Sequence, residues 1–158
     1  MERTRPTPRP GWQALAEQVG FTWHHDSGKP YWDESVAYRF TLPEIEDGIE
    51  APTAELHAMC LDLVAEAVES ERLMTLLDIP EASRDYVADS WKRGDPSLYG
   101  RFDFAYDGQG PAKLYEYNAD TPTSVYETAV FQWLWLEEQM ATGAPVSYTH
   151  LTLPTTPY

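Results

Sequence analysis

A candidate site for a metal ion and a phosphate group falls within one short stretch of the chain, YGRFDFAYDGQGPAKLYEYNAD, residues 99–120. Its four polar side chains of interest are Arg101, Asp103, Glu116 and Asn118. Two carboxylates and an amide carbonyl are hard oxygen donors, the ligands that Mg²⁺ prefers. An arginine beside them could hold a transferring phosphoryl group, because its planar guanidinium matches the charged oxygens. This chemistry requires that the chain place all four side chains on one surface.

The same stretch predicts a β-hairpin with strands over 99–106 and 112–118, joined by the turn sequence DGQGPA. Pairing Asp107 with Ala112 gives two opposed pairs of polar residues, Asp103 with Glu116 and Arg101 with Asn118. Opposed residues share one face of a sheet, and a shift of the pairing by two residues preserves the faces. The other face receives five aromatic residues and is predicted to be the core side: Phe102, Phe104, Tyr106, Tyr115 and Tyr117.

A plainer interpretation of this pattern stays open. Alternating charged and aromatic residues also describe any antiparallel strand pair with one solvated face. The chain has 26 acidic residues, so two carboxylates can share a face by chance. Opposed carboxylates repel each other by up to about 1 kcal/mol. Arg101 would offset part of that repulsion, and a divalent cation would offset more of it.

Composition limits the classes of partner. Acidic residues outnumber basic ones 26 to 11, which gives a formal net charge of −15. Such a field disfavours nucleic acid and anionic membranes, but it permits a small anionic ligand wherever a local cation reverses the sign. A single cysteine, Cys60, excludes an internal disulfide and suits a reducing cytosol. With no apolar run long enough for a membrane span, the sequence predicts a soluble cytoplasmic protein of one domain.

Periodicity and capping signals predict the elements around the hairpin. GWQALAEQVG is typical of a short helix ended by Gly20, and FTWHHDSGKPYWDES is typical of strand, turn and strand. Apolar spacing predicts helices over 53–70, after a bend or restart at Pro52, and over 80–92. A last helix follows Ser124, which forms a capping-box pattern with Glu127, and its predicted apolar face is Tyr126, Ala129, Val130, Trp133 and Leu134. These elements predict a mixed α/β fold with helices packed on an antiparallel or mixed sheet.

The two ends differ in composition from the predicted domain over 11–142. Residues 1–10 are rich in Arg and Pro and predict a mobile arm. Residues 143–158 predict a non-native or disordered tail, because from 146 onward the chain holds no Asp, Glu, Lys or Arg. Among other possible ligands, His24 and His25 are adjacent in a predicted strand. Neighbouring side chains of a strand point to opposite faces, so a shared metal ion is not expected there.

Several blocks of the sequence, in order, resemble the glutathionylspermidine synthase family, whose synthetase has an ATP-grasp fold. The blocks are GWQALAEQVGFTWH, PYWDES, IEAPTAELHAMCLDLV, PSLYGRFDFAYDG, AKLYEYNADTPTS and YETAVFQWLWLEEQ. They cover about residues 10–140. The resemblance implies a partial ATP-grasp or pre-ATP-grasp fold. It also implies ATP-dependent carboxylate–amine ligation, in which MgATP phosphorylates a glutathione-like acid and a polyamine-like amine displaces the phosphate.

The resemblance also implies roles for individual residues. Asp103, Glu116 and Asn118 would bind magnesium. Arg101 would contact phosphate and stabilise the transition state, so that Arg101 and Asp103 both lie at the nucleotide. Thr121, three residues after the asparagine, would contact the glutathione side.

Members of the family are well over twice as long as this chain, and their ATP-clamping lysines lie beyond the matching region. The expectation is therefore an N-terminal fragment of a ligase, inactive alone. A non-catalytic module that binds magnesium or a thiol peptide, and a catalytically silent domain, remain the alternatives.

Overall fold

The structure, a computed structural model, describes residues 1–120 and 122–143. Its strands are β1 (Glu2–Thr4), β2 (His25–Asp26), β3 (Lys29–Pro30), β4 (Ala37–Arg39), β5 (Arg101–Ala105) and β6 (Lys113–Asn118). Its α-helices are α1 (Trp12–Gln18), α2 (Leu42–Ile45), α3 (Ala51–Val68), α4 (Glu71–Leu76), α5 (Glu81–Arg93) and α6 (Gln132–Ala141). Two π-helical segments, Glu46–Glu50 and Glu127–Phe131, lead directly into α3 and α6. The predicted mixed α/β class is confirmed.

Within the described residues the strands form three antiparallel pairs, β1 with β4, β2 with β3 and β5 with β6. The β2–β3 connection is a tight turn at Ser27 and Gly28, which both have positive φ, as a type I′ turn requires. None of the helices in this part of the chain combines the length and apolar character needed to cross a lipid bilayer.

The chain forms two compact units. The terminal unit consists of Met1–Leu42 and the chain from Thr123 onward, and the central unit is Pro43–Pro122. This division differs from the single domain that the length predicts. Within the segment 43–122, α3 contacts α4, α5 and the π-helical segment before it, and β5 contacts β6, so the segment is compact by itself.

The core of the terminal unit is aromatic. Four buried residues form it: Trp12, Ala16, Phe21 and Phe131. Gly20, with φ of 86°, ends α1 in the left-handed conformation, which directs the next residue back onto the helix. The Phe21 N–H then donates to the Ala16 carbonyl at 2.7 Å, and the Phe21 ring packs 4.8 Å from that of Phe131. The helix end predicted at Gly20 thus places the central side chain of this core.

The N-terminal segment is ordered, which differs from the mobile arm expected for residues 1–10. β1 pairs with β4, and Arg9 is 7% exposed. The Arg9 guanidinium donates to Glu34, with the closest N–O distance at 2.6 Å, and reaches Glu138 at 3.0 Å. It also lies 5.5 Å from the centre of the Phe131 ring. A composition rich in Arg and Pro does not reveal that one of these arginines has a buried carboxylate partner.

The last helix buries only part of the face that the sequence predicts. Tyr126 and Leu134 pack against the aromatic core as expected. Val130 and Trp133 are 37% and 39% exposed, whereas Phe131 and Leu136 are buried. A π-helical segment has a wider turn than an α-helix, so it changes the phase of the apolar positions that follow. A strict 3.6-residue period cannot anticipate that change.

In the central unit the predicted helices are found close to their expected bounds. α3 has Pro52 in its first turn, where a missing N–H is tolerated, and α5 runs from Pro80 to a left-handed Gly94. The short α4 was not predicted; it begins at Ser70, whose Oγ accepts from Leu73 N at 3.3 Å. The apolar face of α3 is only partly covered, since Met59 is 59% exposed.

Replacement of Glu34 by Gln should destabilise the terminal unit. Loss of one partner leaves the Arg9 charge buried, which lowers the free energy of unfolding by roughly 3 kcal/mol. This is the low end of the usual range, because Glu138 still pairs with Arg9. Urea unfolding followed by tryptophan fluorescence measures the loss. Glu2→Gln is the matched control, since the Glu2–Arg39 pair is exposed and its loss should cost less than about 0.5 kcal/mol. Equal effects of the two variants would contradict a stabilising role for the buried pair.

Candidate functional site

The β5–β6 hairpin brings the four predicted polar residues onto one face. Arg101 is paired with Asn118 and Asp103 with Glu116, in the register that the sequence predicts for this end of the hairpin. On the opposite face Phe102 stacks on Tyr117 at 4.0 Å, nearly parallel. That stacking excludes a one-residue slip, which would exchange the two faces.

A β-bulge changes the pairing nearer the turn. Phe104 is paired with Leu114 and Ala105 with Lys113, so Tyr115 has no cross-strand partner. Tyr115 is 80% exposed and does not join the aromatic face, which corrects the expectation for that residue. The expected pairing of Asp107 with Ala112 is also wrong, because the Ala112 N–H donates to the Gly48 carbonyl at 2.7 Å. The bulge inserts one residue and thereby shifts the register on the turn side only.

Arg101 and Asp103 form a two-pronged ion pair along β5. Arg101 Nε donates to Asp103 Oδ1 at 2.6 Å, and a terminal guanidinium nitrogen donates to Oδ2 at 3.0 Å. These hydrogen bonds lower the pKa of Asp103 and raise that of Arg101, on which the negative charges of Asp103 and Glu116 act in the same direction. Both side chains are partly exposed, so Asp103 is ionised and the pair is accessible to a ligand.

The side chains on this face supply oxygen atoms of the kind that Mg²⁺ prefers. Glu116 is exposed, and Asn118 Oδ1 accepts from Asp120 N at 3.2 Å, which orients its carbonyl. Each carboxylate oxygen has two acceptor sites, so Asp103 can bind a cation without losing Arg101. Asp103, Glu116 and Asn118 would hold the ion, with water and phosphate oxygens completing six-fold coordination. Thr121, the expected contact on the acid side, lies outside the described residues.

Two clefts of the central unit lie at the turn end of the hairpin. One, of about 380 Å³, is lined by Gly48, Tyr106 and the turn, with Glu44 and Asp47 at its edge, and no basic side chain is among its lining residues. A phosphate would meet repulsion in that cleft. The other, of about 240 Å³, has Asp107 and Lys113 among its lining residues, so it carries both signs of charge.

A second feature lies in the terminal unit and was missed by sequence reasoning. Glu127 Oε1 accepts from the Tyr31 hydroxyl at 2.7 Å and from Trp23 Nε1 at 3.2 Å. Burial acts to raise the pKa of Glu127, but the hydrogen bonds from Tyr31, its own backbone and Trp23 outweigh it and lower the pKa. Trp23 and Tyr31 remain 45% and 50% exposed. An ionised carboxylate beside exposed aromatic rings suits an organic ammonium group.

The sequence interpretation assigned Glu127 first to a helix cap and only secondarily to a substrate contact. Its aromatic partners lie 104 and 96 residues away along the chain, so no local pattern could show them. The one available signal is the density of aromatic residues in FTW and PYW, which is equally typical of a core.

The chain is similar in sequence to one protein family and to several known proteins. The family described as "Glutathionylspermidine synthase preATP-grasp" matches residues 3–150. A putative acid–amine ligase of Haemophilus influenzae is 44% identical over 142 residues, 87% of this chain and 35% of the relative. The bifunctional glutathionylspermidine synthetase/amidase of Escherichia coli is 33% identical over 101 residues, 63% of this chain and 16% of the relative. Trypanothione synthetase of Crithidia fasciculata is 31% identical over 84 residues, 52% of this chain and 13% of the relative. The chain thus spans about a third or less of each of these relatives.

Replacement of Tyr31 by Phe tests the Glu127 arrangement through pH. A carboxylate whose pKa is lowered on folding stabilises the folded state. That contribution is fully present above the pKa of the unfolded state, for which the reference is 4.5, and it is lost as pH falls through the pKa of the folded state. Tyr31→Phe should therefore cost about 1 kcal/mol near pH 7 and progressively less below pH of about 4. Urea unfolding across pH measures the cost. Tyr38→Phe, at a 55% exposed site on β4, is the control and should show no such trend. A cost for Tyr31→Phe that is constant with pH would contradict the assignment.

Proposed function

The chain belongs to the glutathionylspermidine synthase family, and we propose on that premise that it supplies the magnesium- and phosphate-facing part of an ATP-dependent carboxylate–amine ligase. The observation that carries this proposal is the hairpin register. It places Arg101, Asp103, Glu116 and Asn118 on one accessible face, opposite a stacked aromatic face. The three relatives named above are a ligase and two synthetases, which supports the same reaction class.

The reaction proceeds in two transfers. A carboxylate oxygen of a glutathione-like acid attacks the γ-phosphorus of ATP, and ADP leaves with the electron pair of the broken P–O bond. The amine then attacks the acyl carbon of the acyl phosphate, inorganic phosphate leaves, and the amine loses a proton. Magnesium, when bound, would neutralise the negative charge on the phosphates. Arg101 has donors that can exchange from Asp103 to phosphoryl oxygens, so it can stabilise charge during both transfers.

The net charge of −15 makes this local cation necessary. ATP and the acid are both anionic, and the summed field of the protein repels them. Arg101 and a divalent cation reverse the sign at the hairpin face only. The reaction partners are then small molecules, and the need for ATP, together with the single cysteine Cys60, supports a reaction in the cytoplasm.

The amine would bind at the second feature described above, the Glu127 carboxylate with Trp23 and Tyr31. A polyamine-like substrate is cationic until it reacts, and Glu127 with Trp23 and Tyr31 offers an ionised carboxylate and two exposed aromatic side chains for one ammonium group. This assignment rests on the terminal unit alone. It is independent of the assignment of the hairpin residues.

Magnesium should stabilise the central unit. A ligand that binds only the native state adds RT ln(1 + [L]/Kd), which is about 1 kcal/mol for weak binding at millimolar Mg²⁺. Thermal unfolding with and without Mg²⁺ measures the gain, which Asp103→Asn with Glu116→Gln should abolish. Asp62→Asn with Glu66→Gln is the matched control, because both residues are exposed on α3 and the same two charges are lost. An equal Mg²⁺ response in the two double variants would refute the metal assignment.

Activity tests the role of Arg101. The chain is inserted in place of the matching segment of the Haemophilus influenzae ligase, and ADP release is assayed with ATP, candidate acids and candidate amines. Arg101→Ala in this chimera should lower kcat/KM by roughly 10³-fold, the lower range for an arginine that stabilises phosphoryl transfer. Arg93→Ala is a close control, since Arg93 forms the same type of ion pair with a carboxylate two residues later and should change the rate by less than about twofold.

Two results of the chimera assay would count against the proposal. Turnover that is equal in the Arg101→Ala and Arg93→Ala variants would remove Arg101 from the chemistry. A folded chimera that binds Mg²⁺ and yet releases no ADP with any acid and amine would favour the non-catalytic module instead.

A further inference from the structure

A pair of histidines in the terminal unit lies outside both features described above. His24 Nδ1 and His25 Nδ1 are 2.7 Å apart, and the two rings are inclined by 80°. Consecutive side chains of a strand point to opposite faces, which predicts divergence. Only His25 belongs to β2, however, and His24 precedes the strand. The imidazoles therefore converge, contrary to the expectation from the sequence.

Neighbouring residues hold both rings in place. Trp12 packs edge-on against His24 at 5.3 Å and lies nearly parallel to His25 at 6.2 Å. The His24 carbonyl accepts from Tyr31 N and Trp32 N at 3.0 and 3.1 Å, which fixes the backbone at this point. The pair is thus anchored to the aromatic core of the terminal unit, while His25 remains exposed.

The Glu17 carboxylate lies close to His24 and influences which of its ring nitrogens carries the proton. Its Oε1 lies 3.8 Å from His24 Nε2, on the side of the ring away from His25. A carboxylate near Nε2 favours the tautomer with its N–H there, which leaves the Nδ1 lone pair of His24 available. Histidine ligands of metal ions are oriented by a carboxylate that accepts from their second ring nitrogen, and Glu17 lies at ion-pair distance from that nitrogen of His24.

We propose that His24 and His25 together bind a transition-metal dication such as Cu²⁺, Ni²⁺ or Zn²⁺ through their two Nδ1 atoms. A metal about 2.0–2.1 Å from each nitrogen needs the two nitrogens about 2.9 Å apart when they are adjacent in a square or octahedral shell, which a small ring rotation supplies. The two Nδ1 atoms share a hydrogen bond, so the proton on the donating Nδ1 is released as the metal takes its place and that ring carries its N–H at Nε2 instead. Imidazole nitrogen selects these metals over Mg²⁺, which prefers oxygen. In the part of the chain that the structure describes there is no group of three or more His, Cys, Asp or Glu placed to hold a metal. The site thus has two protein ligands, with water in the other positions.

The test uses Cu²⁺ and Ni²⁺ on the full 158-residue chain. Electron paramagnetic resonance of the 1:1 Cu²⁺ sample should show two equatorial imidazole nitrogens, and His25→Gln should reduce these to one. Calorimetric titration with Ni²⁺ should show a loss of affinity of at least roughly tenfold in His25→Gln. His57→Gln is the matched control, a histidine of the central unit beside Tyr117, and should leave both readouts unchanged. Millimolar Mg²⁺ should not displace either metal.

Glu17→Gln separates orientation from ligation. It should weaken Ni²⁺ binding by roughly tenfold while the Cu²⁺ spectrum still reports two imidazole nitrogens, since Glu17 acts through His24. An unchanged affinity in Glu17→Gln would overturn the orienting role of that carboxylate. A single imidazole nitrogen in the unsubstituted chain, or equal losses in His25→Gln and His57→Gln, would overturn the site itself.

Discussion

The candidate site depends on the register of the β5–β6 hairpin, and two contacts fix that register from opposite ends. At the open end, Phe102 stacks on Tyr117, and Gly100 leaves room for the Tyr117 ring, since a Cβ there would lie 2.7 Å from the ring edge. At the turn end, the Ala112 N–H donates to the Gly48 carbonyl. Gly48 lies in the π-helical segment Glu46–Glu50, and Pro52, four residues later, has no N–H to donate to its carbonyl. The segment that leads into α3 thereby anchors the hairpin loop.

The bulge at Tyr115 allows the strand pairing at the open end and the Ala112–Gly48 contact at the turn end to be satisfied together. The pairs Asp103–Glu116 and Arg101–Asn118 keep the register that opposes the polar residues, whereas the loop is held by the helix beside it. One extra residue in β6 absorbs the difference, and the unpaired side chain points into solvent. The site end of the hairpin therefore keeps its geometry while the turn end is set by packing.

Sequence alone could predict the parts of this fold that depend on local chemistry. The helix end at Gly20, a turn between two strands in FTWHHDSGKPYWDES, the approximate bounds of α5 and the polar face of the hairpin all follow from residues that are close in sequence. The missed features depend on distant partners or on a local change of period. Arg9 acquires its order from Glu34 and Glu138, and Glu127 is engaged by Tyr31 and Trp23. The π-helical segment before α6 shifts the buried face, and no composition or period reports any of these in advance.

The distribution of charge explains how a strongly acidic chain can suit an anionic substrate. A carboxylate next to an arginine stays ionised, so Asp103 alone would add to the repulsion of phosphate. The same carboxylate also holds the guanidinium by two hydrogen bonds, in an extended geometry on a strand whose other face is packed. On the proposed assignment, a cation held by the oxygens of Asp103, Glu116 and Asn118 would neutralise the negative charge that restrains Arg101, whose donors could then turn to a phosphoryl group. The acidic residues would then act first as ligands of the cation and only through it on the anion, so that phosphate binding at this face would require the cation.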